Sequence, residues 1–191
     1  MSRKAANIIS AQVILKPNSV LGLATGTTPI GAYHQLIDWF KKGDIDFSQV
    51  STYNLDEYRG LSHDDPQSYH HFMRENFFDH ININVANTHV PDGSNPNAEE
   101  ACSEYDKIVA AAGYPDLQLL GIGNNGHIGF NEPDDHFSKG THCVNLTEST
   151  IQANSRLFDR IEDVPRQAYT MGVQTIMYAR MILVIASGAA K

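Results

Sequence analysis

The residues that decide the fold are those of segment 119–133, which reads Leu119-Leu120-Gly121-Ile122-Gly123-Asn124-Asn125-Gly126-His127-Ile128-Gly129-Phe130-Asn131-Glu132-Pro133. The segment continues an apolar strand, 117–122, that lacks the alternation of a half-exposed strand. Such a strand is typical of a parallel sheet that is covered on both faces. Four glycines within nine residues then allow the backbone to turn sharply. The segment therefore predicts a buried parallel strand that ends in an open loop.

The loop after this strand carries an amide, an imidazole and a carboxylate, on Asn125, His127 and Glu132. Ligands bind at the carboxyl ends of strands in open α/β sheets. For one His near one Glu, a glycine turn with incidental polar residues would be the better interpretation. Here glycines, three competent side chains and a strand end coincide, which favours a functional site.

Composition and charge restrict the class of protein. The 191 residues are 41% apolar and 19% charged, which is typical of one globular domain spanning 1–191. The net charge of −8 argues against nucleic acid or an anionic membrane as partner, but allows a small anionic substrate. Cys102 and Cys143 are too far apart in sequence to indicate a disulfide framework or a metal site. We find no signal peptide or transmembrane run, and therefore expect a cytoplasmic protein.

Strand and helix patterns alternate along the chain. This order predicts an α/β fold with a Rossmann-like, open, mostly parallel sheet and helices on both faces. Strands are predicted over 19–24, 50–55, 117–122, 141–146 and 181–186, and helices over 1–15, 29–42, after Pro66, over 97–112, 148–158 and 175–179. The last residues, 187–191, form a strand-to-helix turn with no helix after it, so we expect the chain to be truncated.

A second strand end lies at Ala24-Thr25-Gly26-Thr27-Thr28-Pro29. Thr28 is predicted to cap a helix whose first residue is Pro29. Free backbone N–H groups at such a helix start can bind an anion, although the turn alone is equally a capped helix. The spacing of a nucleotide-binding P-loop or of a dinucleotide fingerprint is missing.

A third strand end carries the acidic pair Asp56 and Glu57, in what we predict to be a polar turn, 56–60. Most acidic pairs of this kind are solvated turns. Here, however, a carboxylate would face the His127 loop across the edge of the sheet. A base, an imidazole and an anion cradle together indicate acid–base chemistry on a phosphorylated small molecule.

These runs resemble the glucosamine-6-phosphate deaminases, of the glucosamine/galactosamine-6-phosphate isomerase family. The resemblance extends in order from about Val20 to Lys191. It is carried by Leu21-Gly22-Leu23-Ala24-Thr25-Gly26-Thr27-Thr28-Pro29, Asn54-Leu55-Asp56-Glu57-Tyr58, Ser68-Tyr69, the run from Gly121 to Pro133, and Ala153-Asn154-Ser155-Arg156. The Gly-His-Ile-Gly-Phe-Asn-Glu-Pro run, 126–133, together with 54–58, is highly specific.

The resemblance implies conversion of glucosamine 6-phosphate and water to fructose 6-phosphate and ammonia, without a cofactor or metal. It implies that Asp56 moves the C2 proton and that His127, supported by Glu132 and Asn125, opens the sugar ring. Imidazole suits ring opening because it can accept and donate a proton near neutral pH. A carboxylate suits proton abstraction at C2.

The resemblance also implies a substrate and phosphate site and a mobile lid over about 145–170. The implied binding residues are Gly26, Thr27, Thr28, Gly121, Arg156 and Lys191. Three departures stand out. Asn125 occupies a position where some members have Asp, Thr27 replaces a glycine, and members begin with an extra strand and continue past Lys191. Whether a chain ending at Lys191 is active is therefore open.

Two other functions remain as alternatives. A 6-phosphogluconolactonase would have a similar fold, but it resembles 54–58 and 130–133 less well. A non-catalytic sugar-phosphate sensor would have lost the acid–base residues and would normally carry a DNA-binding segment. The sequence leaves open a monomer or a homo-oligomer, and activation by an N-acetylated effector. The other histidines, including the pair His70-His71, lack metal-ligand spacing, so no metal is expected.

Overall fold

Helices and strands alternate along most of the chain, as the sequence predicted. The structure, a computed structural model, describes residues 1–123, 125–155, 158–186 and 188. The helices are α1 (Ser2–Leu15), α2 (Thr27–Lys42), α3 (Tyr69–Asn76), α4 (Ala98–Ala111), α5 (Glu148–Asn154) and α6 (Val173–Met177). The strands are β1 (Val20–Leu23), β2 (Ser51–Asn54), β3 (Asp56–Tyr58), β4 (Thr88–His89), β5 (Leu117–Leu120), β6 (His142–Asn145), β7 (Gln167–Thr170) and β8 (Ile182–Val184). Over the described residues, however, β2 is followed directly by β3 and β5 by β6.

The larger sheet has five parallel strands in the order β4-β2-β1-β5-β8. Helices α1, α2 and α3 pack on one face around Leu21 and Leu119. Helices α4 and α6 pack on the other face through Tyr105 and Ile176. The predicted open parallel sheet with helices on both faces is therefore confirmed. The prediction that β8 is a buried strand is wrong, because β8 lies at the edge of the sheet and Val184 is half exposed.

A smaller antiparallel sheet, in the order β3-β7-β6, was not predicted. Residues 56–58, predicted as a polar turn, form its buried strand β3. Residues 167–170, which the resemblance placed in the lid, form its central strand β7, in which Ala168, Tyr169 and Thr170 are fully buried. Strand β7 pairs with β3 on one side and with β6 on the other.

Helix α2 begins two residues earlier than predicted, because Pro29 was expected as its first residue. Thr27 is its first residue and Gly26 precedes it, with φ of 88°, so Thr28 is not the capping residue. Pro29 lies in the first turn, where backbone N–H groups have no partner within the helix, so proline costs no helical hydrogen bond there. The predicted end is confirmed, because Gly43 adopts the left-handed conformation that favours glycine.

Helix α5 is shorter than predicted. Helix α5 ends at Asn154, four residues before the predicted end at Phe158. Over the described part of the chain, every helix is too short or too polar to cross a membrane.

Candidate active site

Three strand ends meet at one edge of the parallel sheet. Strand β1 pairs in parallel with both β2 and β5, so their carboxyl ends share this edge. Strand β1 leads into the turn at Gly26, β2 leads to Asp56, and β5 leads into the glycine loop that carries His127. The parallel topology therefore brings together the three regions that the sequence analysis singled out.

Asp56 is a buried carboxylate beside the glycine loop. Its side chain is 6% exposed and makes no hydrogen bond to any residue that the structure describes. A Cβ atom added at Gly129 would lie 3.3 Å from Oδ2 of Asp56, so the carboxylate faces the loop as predicted. Burial, and secondarily the charge of Glu57, raise the pKa of Asp56 to about 8. A carboxyl group of this kind can exchange a proton near neutral pH.

Glu57 is equally buried but is held by backbone donors. Its Oε1 accepts hydrogen bonds from the N–H groups of Tyr58 at 2.8 Å and Tyr69 at 2.9 Å, and its Oε2 accepts from that of His70 at 2.9 Å. These bonds tie β3 to the first turn of α3. Burial nevertheless raises the pKa of Glu57 to about 7. With its oxygens occupied in this way, Glu57 is a structural residue.

The side chains of Asn125, His127 and Glu132 lie together. The amide Nδ2 of Asn125 donates to Oε2 of Glu132, and its Oδ1 accepts from the backbone N–H of His127 at 3.2 Å. Nδ1 of His127 lies 3.7 Å from Oε2 of Glu132, which is close enough for attraction but too long for a hydrogen bond. Consistently, this nitrogen has no hydrogen-bond partner among the described residues. The arrangement places an imidazole beside a carboxylate whose other contact is a neutral amide.

The His127 ring requires the glycine at position 123. A Cβ atom added at Gly123 would lie 2.3 to 2.4 Å from three atoms of the imidazole. The N–H of Gly123 also donates to the carbonyl of His127 at 2.8 Å. A side chain at position 123 would therefore displace the ring. In contrast, a Cβ atom added at Gly121 would meet no atom of the described residues within 4 Å, so these residues leave space beside Gly121.

Two anchors of the loop were missed in the sequence. Oγ1 of Thr170 accepts the N–H of Phe130 at 3.1 Å. Nδ2 of Asn131 donates to the carbonyls of Ile128 at 3.0 Å and Met171 at 2.9 Å. No sequence motif marks Thr170, because its position depends on how β7 pairs. Asn131 lies in the run 126–133 that carries the resemblance, but only the structure shows that it is buried.

The predicted phosphate site is described only in part. Gly26 and Thr27 are exposed, and no side chain of the described residues caps the start of α2, so among these residues its first N–H groups are available to an anion. The φ angle of Thr27 is not positive, so threonine replaces glycine there without strain. Arg156 and Lys191, also predicted for this site, lie outside the described residues.

The described residues include no group of three His, Cys, Asp or Glu side chains that could hold a metal ion. Cys102 packs in a buried cluster with Ala101 and Tyr169, as the helical spacing predicted. Burial raises the pKa of its thiol to about 11. Cys102 is therefore a core residue.

A buried carboxylate, an imidazole loop and an open helix start at one edge of a parallel sheet define an enzyme site suited to acid–base chemistry on small anionic molecules. The sequence matches, over residues 1–191, the family described as glucosamine-6-phosphate isomerases/6-phosphogluconolactonase. The chain belongs to this family.

Within this family, the chain is similar to curated glucosamine-6-phosphate deaminases. The chain is 62% identical to the glucosamine-6-phosphate deaminase of Lachnoclostridium phytofermentans, covering all of this chain and 81% of the relative. It is 57% identical to that of Halothermothrix orenii, covering 100% of the chain and 79% of the relative. The resemblance to deaminases found in the sequence is thus confirmed.

Solved structures agree. A monomeric glucosamine-6-phosphate deaminase superposes with a TM-score of 0.96 at 48% identity, covering 100% of this chain and 79% of that one. A 6-phosphogluconolactonase from Thermotoga maritima reaches a TM-score of 0.74 at 20% identity, covering 99% and 81%. The second likeness concerns the fold alone.

Proposed function

We propose that the chain converts glucosamine 6-phosphate and water to fructose 6-phosphate and ammonia. The observation that carries the proposal is the buried Asp56 carboxylate, which has no described hydrogen-bond donor and faces the loop of His127. The 62% identity to a curated deaminase supports the same reaction.

Ring opening is assigned to His127. The closed sugar has no acidic proton at C2 until a proton moves from O1 and another reaches O5. An imidazole can carry out both transfers because it can accept and donate a proton. Glu132 lies beside this ring, with its Oε2 at 3.7 Å from Nδ1. Asn125 holds Glu132 and the backbone of His127 in place.

Proton transfer at carbon is assigned to Asp56. In the open aldehyde, the Asp56 carboxylate removes the C2 proton while O1 takes up a proton from water, which gives an enolamine with a hydroxyl group at C1. Return of a proton to C1 leaves a protonated imine at C2, which water hydrolyses to the ketone and ammonia. A carboxyl group whose pKa is about 8 is a stronger base than an exposed one and can still be reprotonated near neutral pH.

The phosphate is assigned to Gly26, Thr27 and Thr28 at the start of α2, together with Arg156 and Lys191. The open space beside Gly121 would accommodate the sugar. A fixed phosphate positions the reacting carbon without taking part in the chemistry.

The remaining assignments concern organisation. We assign 1–191 to a single domain with a lid over about 145–170, which includes strand β7. The monomeric relative supports a monomer over a homo-oligomer. The cytoplasm is the proposed location, with neither nucleic acid nor membrane as partner.

The test is ammonia release from glucosamine 6-phosphate, with two other compounds as controls. Glucosamine without its phosphate should react very poorly, since the anion contacts contribute about 1.5–3 kcal/mol per charged hydrogen bond. Equal reaction of the two would contradict the phosphate site. Hydrolysis of 6-phosphogluconolactone without ammonia release from the amino sugar would instead favour the lactonase.

A further inference from the structure

We propose that Thr170 is a positioning residue that sets the distance between the base Asp56 and the loop that carries His127 and Glu132. The inference rests on the proposed function, because it assigns Thr170 a role in that reaction. Thr170 is fully buried at the end of β7.

The first observation is the hydrogen bond to the loop. Oγ1 of Thr170 accepts the N–H of Phe130 at 3.1 Å. Phe130 lies between His127 and Glu132 in the chain, so a shift of its backbone moves the two side chains relative to each other. The bond therefore acts on the part of the loop that holds the imidazole beside its carboxylate.

The second observation is the register of the antiparallel sheet. Thr170 is the direct cross-strand partner of Asp56 in the β3–β7 pair. Gly129 fits between them, because an added Cβ atom there would lie 2.9 Å from Oγ1 of Thr170 and 3.3 Å from Oδ2 of Asp56. One strand pairing thus places the base, and the hydroxyl opposite it holds the loop against that base.

A second anchor should keep the loop attached to the fold when the Thr170 hydroxyl is removed. Asn131 holds the same loop through the carbonyls of Ile128 and Met171. Without the Thr170 hydroxyl, the loop should remain attached but lose its fixed distance to Asp56. The expected consequence is a slower reaction in a folded protein.

The experiment compares three variants with the wild-type chain. Thr170→Val keeps the shape and removes the acceptor, and Thr170→Ser restores the hydroxyl. Thr52→Val is the matched control, because it makes the same change in buried strand β2 at a hydroxyl with no hydrogen-bond partner among the described residues. We expect Thr170→Val to lower kcat by roughly 10- to 100-fold, as for a small misplacement of reacting groups, with little change in KM. Thr170→Ser should recover most of kcat, and Thr52→Val should resemble the wild type.

Amide hydrogen exchange of residues 128–131, followed by mass spectrometry, gives a readout that does not depend on activity. Exchange should be faster in Thr170→Val than in the wild type and in Thr52→Val. Unchanged kcat and exchange in Thr170→Val, or equal loss of kcat in Thr170→Ser, would overturn the proposal. If the wild-type chain releases no ammonia, the proposed function fails, and unchanged loop exchange in Thr170→Val would then overturn the positioning role by itself.

Discussion

The two halves of the candidate site are built in different ways. Asp56 lies on a paired strand and is 6% exposed, whereas His127 and Glu132 lie on a glycine loop and are each 30% exposed. Removal from water raises the pKa of the Asp56 carboxyl, which makes it a stronger base. The loop side chains instead remain near solvent and contact one another. Burial thus determines the basicity of Asp56, whereas contacts with neighbouring polar side chains determine the position of His127.

Glu57 shows that burial alone does not produce a reactive group. It follows Asp56 on the same strand and is just as buried, but three backbone N–H groups occupy its oxygens. Successive residues of a strand point to opposite sides, so the two carboxylates meet different surroundings. Asp56 differs from Glu57 in two ways: its carboxylate has no hydrogen-bond donor among the described residues, and it lies beside the loop of His127.

The largest expected effect follows from Asp56→Asn. The change keeps size and polarity but removes the base, so ammonia release should fall by at least about two orders of magnitude. The melting temperature should stay constant or rise, because a neutral amide is less costly to bury than a carboxylate. Turnover near that of the wild type would contradict the role of Asp56.

The same variant has a pH-dependent control. The folded pKa of Asp56, about 8, lies above its ordinary value of 3.8. Its contribution to stability is therefore fully present below about pH 4 and is lost as the pH rises to about 8. Across that window the wild type should lose up to about 1.4 kcal/mol per pH unit relative to Asp56→Asn in urea unfolding.

His127→Gln should separate the two halves of the site. Net formation of glucosamine 6-phosphate from fructose 6-phosphate and ammonia should fall by about 100-fold, because ring closure lacks its proton carrier. Solvent deuterium exchange at the carbon whose proton Asp56 transfers should persist, since Asp56 is intact. Equal loss of both activities with an unchanged melt would show that the halves do not act separately.

The pH dependence of kcat/KM should report the base. Asp56 must be ionised to accept a proton, so kcat/KM should rise by about tenfold per pH unit and level off above the pKa near 8. In Glu57→Gln the rising limb should move to lower pH, because the charge of Glu57 contributes to the raised pKa. Ionisation of the substrate is the same for both proteins and cannot produce that difference. If kcat/KM rises over the same pH range in the wild type and in Glu57→Gln, the charge of Glu57 does not affect the pKa of Asp56.

The smallest effect on turnover is expected for Glu57→Gln, which tests the structural half of the comparison. At pH 8 the amide nitrogen would face a backbone donor, which should lower the free energy of unfolding by about 1–3 kcal/mol. Turnover of the folded protein should change only a few-fold. Urea unfolding and ammonia release measure the two quantities. A loss of turnover as large as in Asp56→Asn, with unchanged stability, would remove the distinction between the two carboxylates.

Local patterns in the sequence determined the parallel sheet and the grouping of the site. Apolar runs, helix ends and glycines specify β1, β2, β5 and the loop at Gly123 through interactions among near neighbours. Parallel strands then bring their carboxyl ends to one edge. For this reason the sequence by itself was sufficient to place Asp56 and His127 together.

Only the tertiary structure decided what the neighbours of Asp56 are. Residues 56–58 look like a polar turn, but pairing with β7, far away in the chain, converts them to a buried strand. That pairing also gives Thr170 its position, and the packing of α3 supplies the donors that hold Glu57. The reason is physical. A strand of three residues carries too little local pattern to specify its partner, and the pKa of a carboxyl depends on burial and donors contributed by distant parts of the chain.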